Sequence, residues 1–112
     1  MRVSNNKARD FVNGLKEFEG SNTFGKWIKW VTDDKTDEIY VVYSYGSHFP
    51  MYIYDKEQGK WIGNKDKYSR STTRHQSQLR PSSVGLWLNT DEMKDVVWHG
   101  GLVAHTINKA RQ

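Results

Sequence analysis

The sequence predicts an α+β fold in which a small antiparallel sheet of three to four strands carries N-terminal, central and C-terminal helices mainly on one face. Three observations support this. Side chains from Glu38 to Tyr45 would alternate between the two faces of a strand, and apolar residues near the N-terminus recur at helical spacing. The 112 residues include 15 aromatics, five of them tryptophan, whereas disordered chains are poor in aromatics. The length fits a single domain spanning residues 1–112.

The first predicted element is a helix that Ser4 or Asn5 caps. Its apolar residues would share one face: Ala8, Phe11, Val12, Leu15 and Phe18. Gly20 follows this stretch, and glycine adopts the left-handed conformation that commonly ends a helix. We therefore expect the helix to stop at Gly20.

Four segments then have the composition of strands. They are Lys26 to Val31, Glu38 to Tyr45, Met51 to Tyr54 and Lys60 to Gly63. Polar turns separate them, at Asp33 to Thr36 and at Asp55 to Gly59. Short loops between neighbouring strands predict an antiparallel meander against which Phe11, Val12 and Leu15 pack.

The remaining elements are predicted to be helical. Ser71 or Thr72 can cap a short helix from Thr73 to Arg80, which Pro81 ends. Thr90 would cap a later helix whose apolar face holds Met93, Val96 and Val97, and Leu102 to Lys109 would close the chain as a further helix.

Composition excludes several classes of protein. The chain has no cysteine, so it forms neither disulfides nor thiolate metal sites. Its N-terminus, MRVSNNKARDF, lacks the apolar run of a signal peptide. No segment approaches the ~20 apolar residues that span a bilayer. We expect a soluble intracellular protein without membrane contact.

The segment from Lys60 to Arg80 concentrates positive charge. It holds six basic residues and one acid, Asp66, so its charge of +5 exceeds the +4 of the whole chain. Hydroxyl, amide and aromatic side chains lie between the cations, a mixture that suits phosphate-bearing ligands. The residues expected to line one concave binding surface are Trp61, Lys65, Lys67, Tyr68, Arg70, Thr72, Thr73, Arg74, His75 and Gln76. The alternative is a solvated loop and helix surface.

Tyrosines alternate along the predicted strands, so some must point away from a helix-covered core. Tyr43, Tyr45, Tyr52 and Tyr54 are therefore candidates for stacking against bases beside the basic segment. The alternative is a half-buried sheet in which each ring packs and each hydroxyl reaches water.

No catalytic or metal-binding template is visible. The four histidines, at 48, 75, 99 and 105, are scattered, and no HExxH pair, GxSxG elbow or Walker loop occurs. We expect a protein that is not an enzyme and that needs no metal or other cofactor.

The run VVYSYGSHFPMYIYD, followed by Trp61, Asn64 and KYSRSTTRHQSQLRP, resembles a small domain of bacteriophage and mobile-element proteins. The likeness covers about Tyr40 to Pro81, and the family has no established function. It implies a phage-type accessory protein that acts in the cytoplasm of an infected bacterial cell. Phage accessory proteins in general bind nucleic acid, host enzymes or nucleotide signals of antiphage defence.

Two functions follow as expectations. In the first, the basic segment with its aromatic flanks binds a phosphate-bearing ligand, either a nucleotide signal or nucleic acid. In the second, the protein is an inhibitor or adaptor that docks on an acidic surface of a host protein. Arg, Tyr and Trp are enriched in both kinds of interface, so composition does not separate them.

Overall fold

A computed structural model describes residues 3–20, 22–31, 36–46, 49–67 and 69–99. Within these ranges the chain forms six strands and three helices. In chain order they are α1 (Asn5–Asn13), β1 (Phe18–Glu19), β2 (Thr23–Val31), β3 (Thr36–Ser44), β4 (Pro50–Asp55), β5 (Lys60–Asn64), α2 (Arg70–Gln78), β6 (Leu86–Leu88) and α3 (Thr90–His99). Of the turn predicted at Asp33 to Thr36, residues 33–35 lie outside the described residues, and Thr36 begins β3. The predicted helix at residues 102–109 also lies outside the described residues.

The strands form one sheet whose spatial order follows the chain, from β1 to β6. The first five strands pair antiparallel, and β5 pairs with β6 in parallel after the α2 crossover. The predicted meander of β3, β4 and β5 is present. The predicted number of three to four strands is wrong, because β1 and β6 extend the sheet beyond the four predicted strands. With two and three residues, these edge strands are too short to show a periodicity.

Helices cover both faces of the sheet, so the prediction that they pack mainly on one face is also wrong. One core joins Ala8 and Val12 of α1 to Tyr40, Val42 and the residues around them, and Leu79 at the end of α2 belongs to it. The opposite core packs Met93 and Val96 of α3 against the other side of the sheet. Alternation along β3 supplies both cores, because successive side chains of a strand point to opposite faces.

Helix α1 ends well before Gly20. The amide of Lys16 donates to the Phe11 carbonyl at 2.8 Å and that of Leu15 to the Val12 carbonyl at 3.0 Å, the bond pattern of a Schellman motif. Leu15 therefore takes the left-handed position, with φ 56°. Its carbonyl accepts a 2.8 Å bond from Trp27 Nε1, so a tertiary contact fixes a turn that local propensity does not encode.

The caps of the later helices differ from those predicted. Ser69, rather than Ser71 or Thr72, caps α2, and its Oγ accepts from the Thr72 amide at 3.1 Å. Asn89, rather than Thr90, caps α3. Asn89 Oδ1 accepts from the Glu92 amide at 2.8 Å while Glu92 Oε1 accepts from the Asn89 amide at 3.2 Å, which is a capping box.

None of the helices within the described ranges has the length and apolar character needed to cross a bilayer.

Candidate functional site

A cavity of about 730 Å³ lies where three elements meet, among the residues that the structure describes. The end of β3, the segment after β5 and the starts of α2 and α3 form its wall. Its lining residues are Ser44, Tyr45, Phe49, Asp66, Lys67, Ser69, Thr72, Thr90, Asp91 and Lys94. The volume is within the range of small-molecule sites.

Asn64 and Asp66 fix the start of α3 at this cavity. Asn64 Nδ2 donates to the Pro50 carbonyl at 2.9 Å and to Thr90 Oγ1 at 3.1 Å. Asp66 Oδ2 accepts from the Thr90 amide at 2.7 Å. The hydrogen bonds that the Asp66 carboxylate accepts from the Thr90 amide and hydroxyl, together with nearby Lys65, lower the pKa of Asp66 below its ordinary value. The carboxylate thus stays ionised at the first turn of α3, where the helix dipole favours negative charge.

Ser44 and His75 connect the end of β3 to α2. Ser44 Oγ lies 2.8 Å from His75 Nδ1, and the two residues are 1% and 7% exposed. Burial, with a smaller contribution from the positive charge of Arg74, lowers the pKa of His75. The imidazole is therefore neutral near pH 7, and the pair holds the cavity wall together.

Tyr45 follows directly and presents its ring at the cavity wall. Its backbone is left-handed, with φ 59°, and its amide donates to the Asn22 carbonyl at 2.8 Å. The side chain is 56% exposed, and its ring centroid lies 5.3 Å from that of His75 at an interplanar angle of 40°. A left-handed backbone costs a residue other than glycine about 1–2 kcal/mol.

Gln76 joins α2 to the segment that follows β5. Its Nε2 donates to the Asn64 carbonyl at 3.0 Å and to the Asp66 carbonyl at 3.1 Å. Tyr52 Oη donates to the Gln76 carbonyl at 2.6 Å, and burial raises the pKa of Tyr52 to about 12. Gln76 Oε1 is buried and accepts no hydrogen bond from the described residues. Gln76 therefore links α2 to the end of β5 and to the residues that follow it.

The charges that line the cavity are balanced. Lys67 and Lys94 supply two cations, and Asp66 and Asp91 supply two anions. The starts of α2 and α3 add the partial positive charge of helix N-termini. This site therefore differs from the uniformly basic surface that the sequence predicts for the whole of residues 60–80.

The predicted binding residues that the structure describes do not share one concave surface. Lys67 and Thr72 line the cavity. Lys65, Arg70 and Arg74 are exposed, and Thr73 is half-buried, but none of these four lines it. Tyr68 lies outside the described residues.

The other predicted site residues have roles within the fold. His75 and Gln76 are buried in the contacts of α2. Trp61 packs against Tyr40 and Tyr54, with ring centroids 6.0 and 5.3 Å apart, which places it in the core that α1 covers. It therefore does not flank the basic segment.

The four tyrosines proposed for stacking separate into three groups. Tyr43 and Tyr52 are buried in opposite cores, at 3% and 2% exposed. Tyr54 is half-buried against Trp61. Tyr45 alone of the four is exposed and lines the cavity. It leaves the strand face assigned to it because β3 ends at Ser44 and the backbone then turns left-handed.

Sequence reasoning missed most of the cavity wall. The missed residues are Ser44, Phe49, Asp66, Ser69, Thr90, Asp91 and Lys94. Ser69 could have been found from the sequence, because serine is a preferred N-cap residue and its hydroxyl can accept from the amide of Thr72, three residues later. The parallel pairing of β6 with β5 brings the start of α3 to the site, and with it Thr90, Asp91 and Lys94. No local pattern in the sequence indicates this pairing.

Metal-ligating side chains do not gather in the part of the chain that the structure describes: no group of three or more His, Asp or Glu there could hold an ion. Comparisons with protein-family models, with curated proteins and with solved structures find no match.

Proposed function

We propose that this protein binds a small phosphate-bearing ligand of nucleotide size in the cavity between β3, α2 and α3, without carrying out chemistry on it. The observation that carries the proposal is the composition of one cavity wall. Lys67 and Lys94 line it together with the starts of two helices and the exposed ring of Tyr45. Ammonium groups and the start of α2 favour a phosphate, whereas the Asp66 carboxylate already occupies the start of α3.

A small ligand fits these features better than a nucleic-acid polymer does. Polymers need an extended groove of one charge sign, whereas Asp66 and Asp91 offset the two lysines here. Carboxylates can accept hydrogen bonds from hydroxyl or amino groups of a ligand whose phosphate lies on the lysines. Lys65, Arg70 and Arg74 are exposed beside the cavity residues in sequence and would raise the rate of encounter with an anion.

Binding without catalysis is supported by the environment of the Ser44–His75 pair. A serine nucleophile needs a base that a third group orients. Ser44 is 1% exposed, and the described residues provide no carboxylate partner for the His75 ring. The pair is therefore arranged as a buried structural contact.

The experiment is a calorimetric titration of the purified protein with AMP, GMP, CMP, UMP, ribose 5-phosphate and a short single-stranded oligonucleotide. We expect at least one of the small phosphates to bind with a stoichiometry of one. Lys67→Ala and Lys94→Ala should each weaken that binding by ~1–3 kcal/mol, the usual range for a charge-assisted hydrogen bond.

Lys29→Ala is the matched control, because Lys29 is an exposed lysine on β2 and does not line the cavity. It should leave binding unchanged. Chromatography of the titrated samples should recover every nucleotide intact. If no small phosphate binds, or if the control variant weakens binding as much as the cavity variants do, the proposed site is wrong.

The setting of this function is proposed from the sequence resemblance. A phage-type accessory protein would meet its nucleotide ligand in the cytoplasm of an infected bacterial cell. Expression in such cells, followed by extraction of small molecules from the purified protein and mass spectrometry, would test whether a cellular nucleotide accompanies it.

A further inference from the structure

Tyr45 combines a left-handed backbone with a side chain that is more than half exposed. Among the residues that the structure describes, three other than glycine have positive φ: Leu15, Asn22 and Tyr45. Leu15 ends α1 and packs against the core that α1 covers. Asn22 is of a residue type that tolerates this conformation. Tyr45 is 56% exposed, so replacing it by asparagine would lose little buried surface and would ease the backbone.

The position of the ring makes it suitable for a ligand. Tyr45 lines the cavity that also holds Lys67 and Lys94. The ring of His75 packs on it at 5.3 Å, and the Tyr45 amide is fixed to the Asn22 carbonyl at 2.8 Å. The ring is therefore held in place before a ligand arrives, although most of its surface remains open. Strained residues whose surroundings hold them in this way cluster at ligand sites.

We propose that Tyr45 is the specificity-determining residue of this cavity, and that the ligands are nucleotides whose base stacks on its ring. The inference rests on the proposed function, because it requires that the phosphate of the same ligand be bound in this cavity. It separates nucleotides from sugar phosphates and inorganic phosphate, which offer no aromatic face. Stacking of a base on an aromatic side chain changes affinity by roughly 5- to 150-fold.

Two variants and one pair of ligand types test this inference. Tyr45→Asn removes the ring and suits the left-handed backbone, while Tyr45→Phe keeps the ring and serves as the matched control. Each protein is titrated with the four nucleoside monophosphates and with ribose 5-phosphate, and its melting temperature is measured without ligand. Ribose 5-phosphate carries the phosphate and the sugar of a nucleotide but not the base.

We expect the wild-type protein to bind at least one nucleotide roughly 5- to 150-fold more tightly than ribose 5-phosphate. Tyr45→Asn should reduce nucleotide binding to the level of ribose 5-phosphate, leave ribose 5-phosphate binding unchanged and not lower the melting temperature. Tyr45→Phe should bind nucleotides as the wild-type protein does.

Two results would overturn the assignment of Tyr45 while leaving the proposed function intact. One is equal binding of nucleotides and ribose 5-phosphate by the wild-type protein. The other is nucleotide binding by Tyr45→Asn that is as tight as that of the wild-type protein. If neither nucleotides nor ribose 5-phosphate bind the wild-type protein, the proposed function fails, and the assignment of Tyr45 fails with it.

Discussion

The side chains of Ser44 and His75 meet at 2.8 Å, and this buried contact joins the last residue of β3 to the middle of α2. On either side of it lie features of the cavity: Tyr45 follows Ser44 in the chain, and Thr72 precedes His75 by one helical turn. A change in the charge of His75 therefore acts on the wall of the candidate site and on the stability of the fold together.

The first prediction concerns pH. Burial lowers the pKa of His75 in the folded protein, so the unfolded chain takes up the proton first as the pH falls. The stability due to this group is complete above the ordinary histidine pKa of ~6.5 and is lost below it. We expect the melting temperature of the wild-type protein to fall between about pH 7.5 and about pH 5.5. His75→Gln retains a hydrogen-bonding partner for Ser44 but does not titrate.

The difference between the two proteins isolates His75, because the other histidines are common to both. The fall in melting temperature should be smaller in His75→Gln than in the wild-type protein. Equal slopes against pH would show that the protonation of His75 does not affect folding.

The second prediction concerns Gln76. Gln76→Met keeps the length of the side chain but removes the Nε2 donor from two backbone carbonyls, those of Asn64 and Asp66. Leaving buried acceptors unpaired costs ~1–3 kcal/mol, so the free energy of unfolding in denaturant should fall by that amount. Gln78→Met in the same helix is the control. Gln78 Oε1 accepts one long hydrogen bond, from Asn5 Nδ2 at 3.4 Å. The free energy of unfolding of Gln78→Met should therefore stay within ~0.5 kcal/mol of the wild-type value.

The third prediction concerns the contact between β5 and β6. A Cβ atom on Gly63 would lie 2.5 Å from the Trp87 ring, and the Arg80 guanidinium carbon lies over that ring, 5.2 Å from its centroid. Gly63→Ala should therefore destabilise the protein by ~1–3 kcal/mol, as overpacking does. Gly85→Ala is the matched control, because its Cβ would meet only the flexible methylene chain of Lys60 at 3.2 Å or more. If chemical denaturation gives both variants the same stability, Trp87 moves freely and does not anchor β6.

The fourth prediction concerns salt. A nucleotide held by Lys67 and Lys94 exchanges few counterions, so raising the salt from about 50 to about 200 mM should weaken its binding by less than about tenfold. A nucleic-acid polymer with six to ten phosphate contacts would lose about 10³–10⁵ in affinity over the same range. Calorimetry at several salt concentrations measures the slope. A steep slope would favour a polymer lying across the exposed residues Lys65, Arg70 and Arg74.

Local patterns in the sequence were sufficient to predict the centre of the fold. The alternation in β3 and the short polar loops identified the β3–β4–β5 meander, since hydrophobic period and turn length both act over a few residues. The left-handed turn at Leu15 and the parallel strand Leu86–Leu88 were missed. Both depend on partners distant in sequence: Trp27 Nε1 for the turn and β5 for the strand.

The candidate site was harder to predict for the same reason. The pattern of charges in the sequence correctly identified Lys67, which lies in the segment between β5 and α2 and lines the cavity. It also selected Trp61, which the sheet turns toward the core, and His75, which the helix buries. Whether a side chain points to the core or to solvent depends on how its helix or strand packs. The number of charges nearby in the sequence does not reveal that packing.

The order of the strands has a consequence for how the protein assembles. The first five strands are neighbours in both sequence and space, so each hairpin can join the sheet as it forms, with short loops to close. The cavity wall is completed differently, by contacts that are distant in sequence. Asn64 Nδ2 donates to Thr90 Oγ1 across 26 residues, and the Thr90 amide donates to Asp66 Oδ2 across 24 residues. The proposed ligand site would therefore be complete only when β6 and α3 are packed on the sheet. An opening confined to β6 and α3 would release the ligand from a sheet that is otherwise intact.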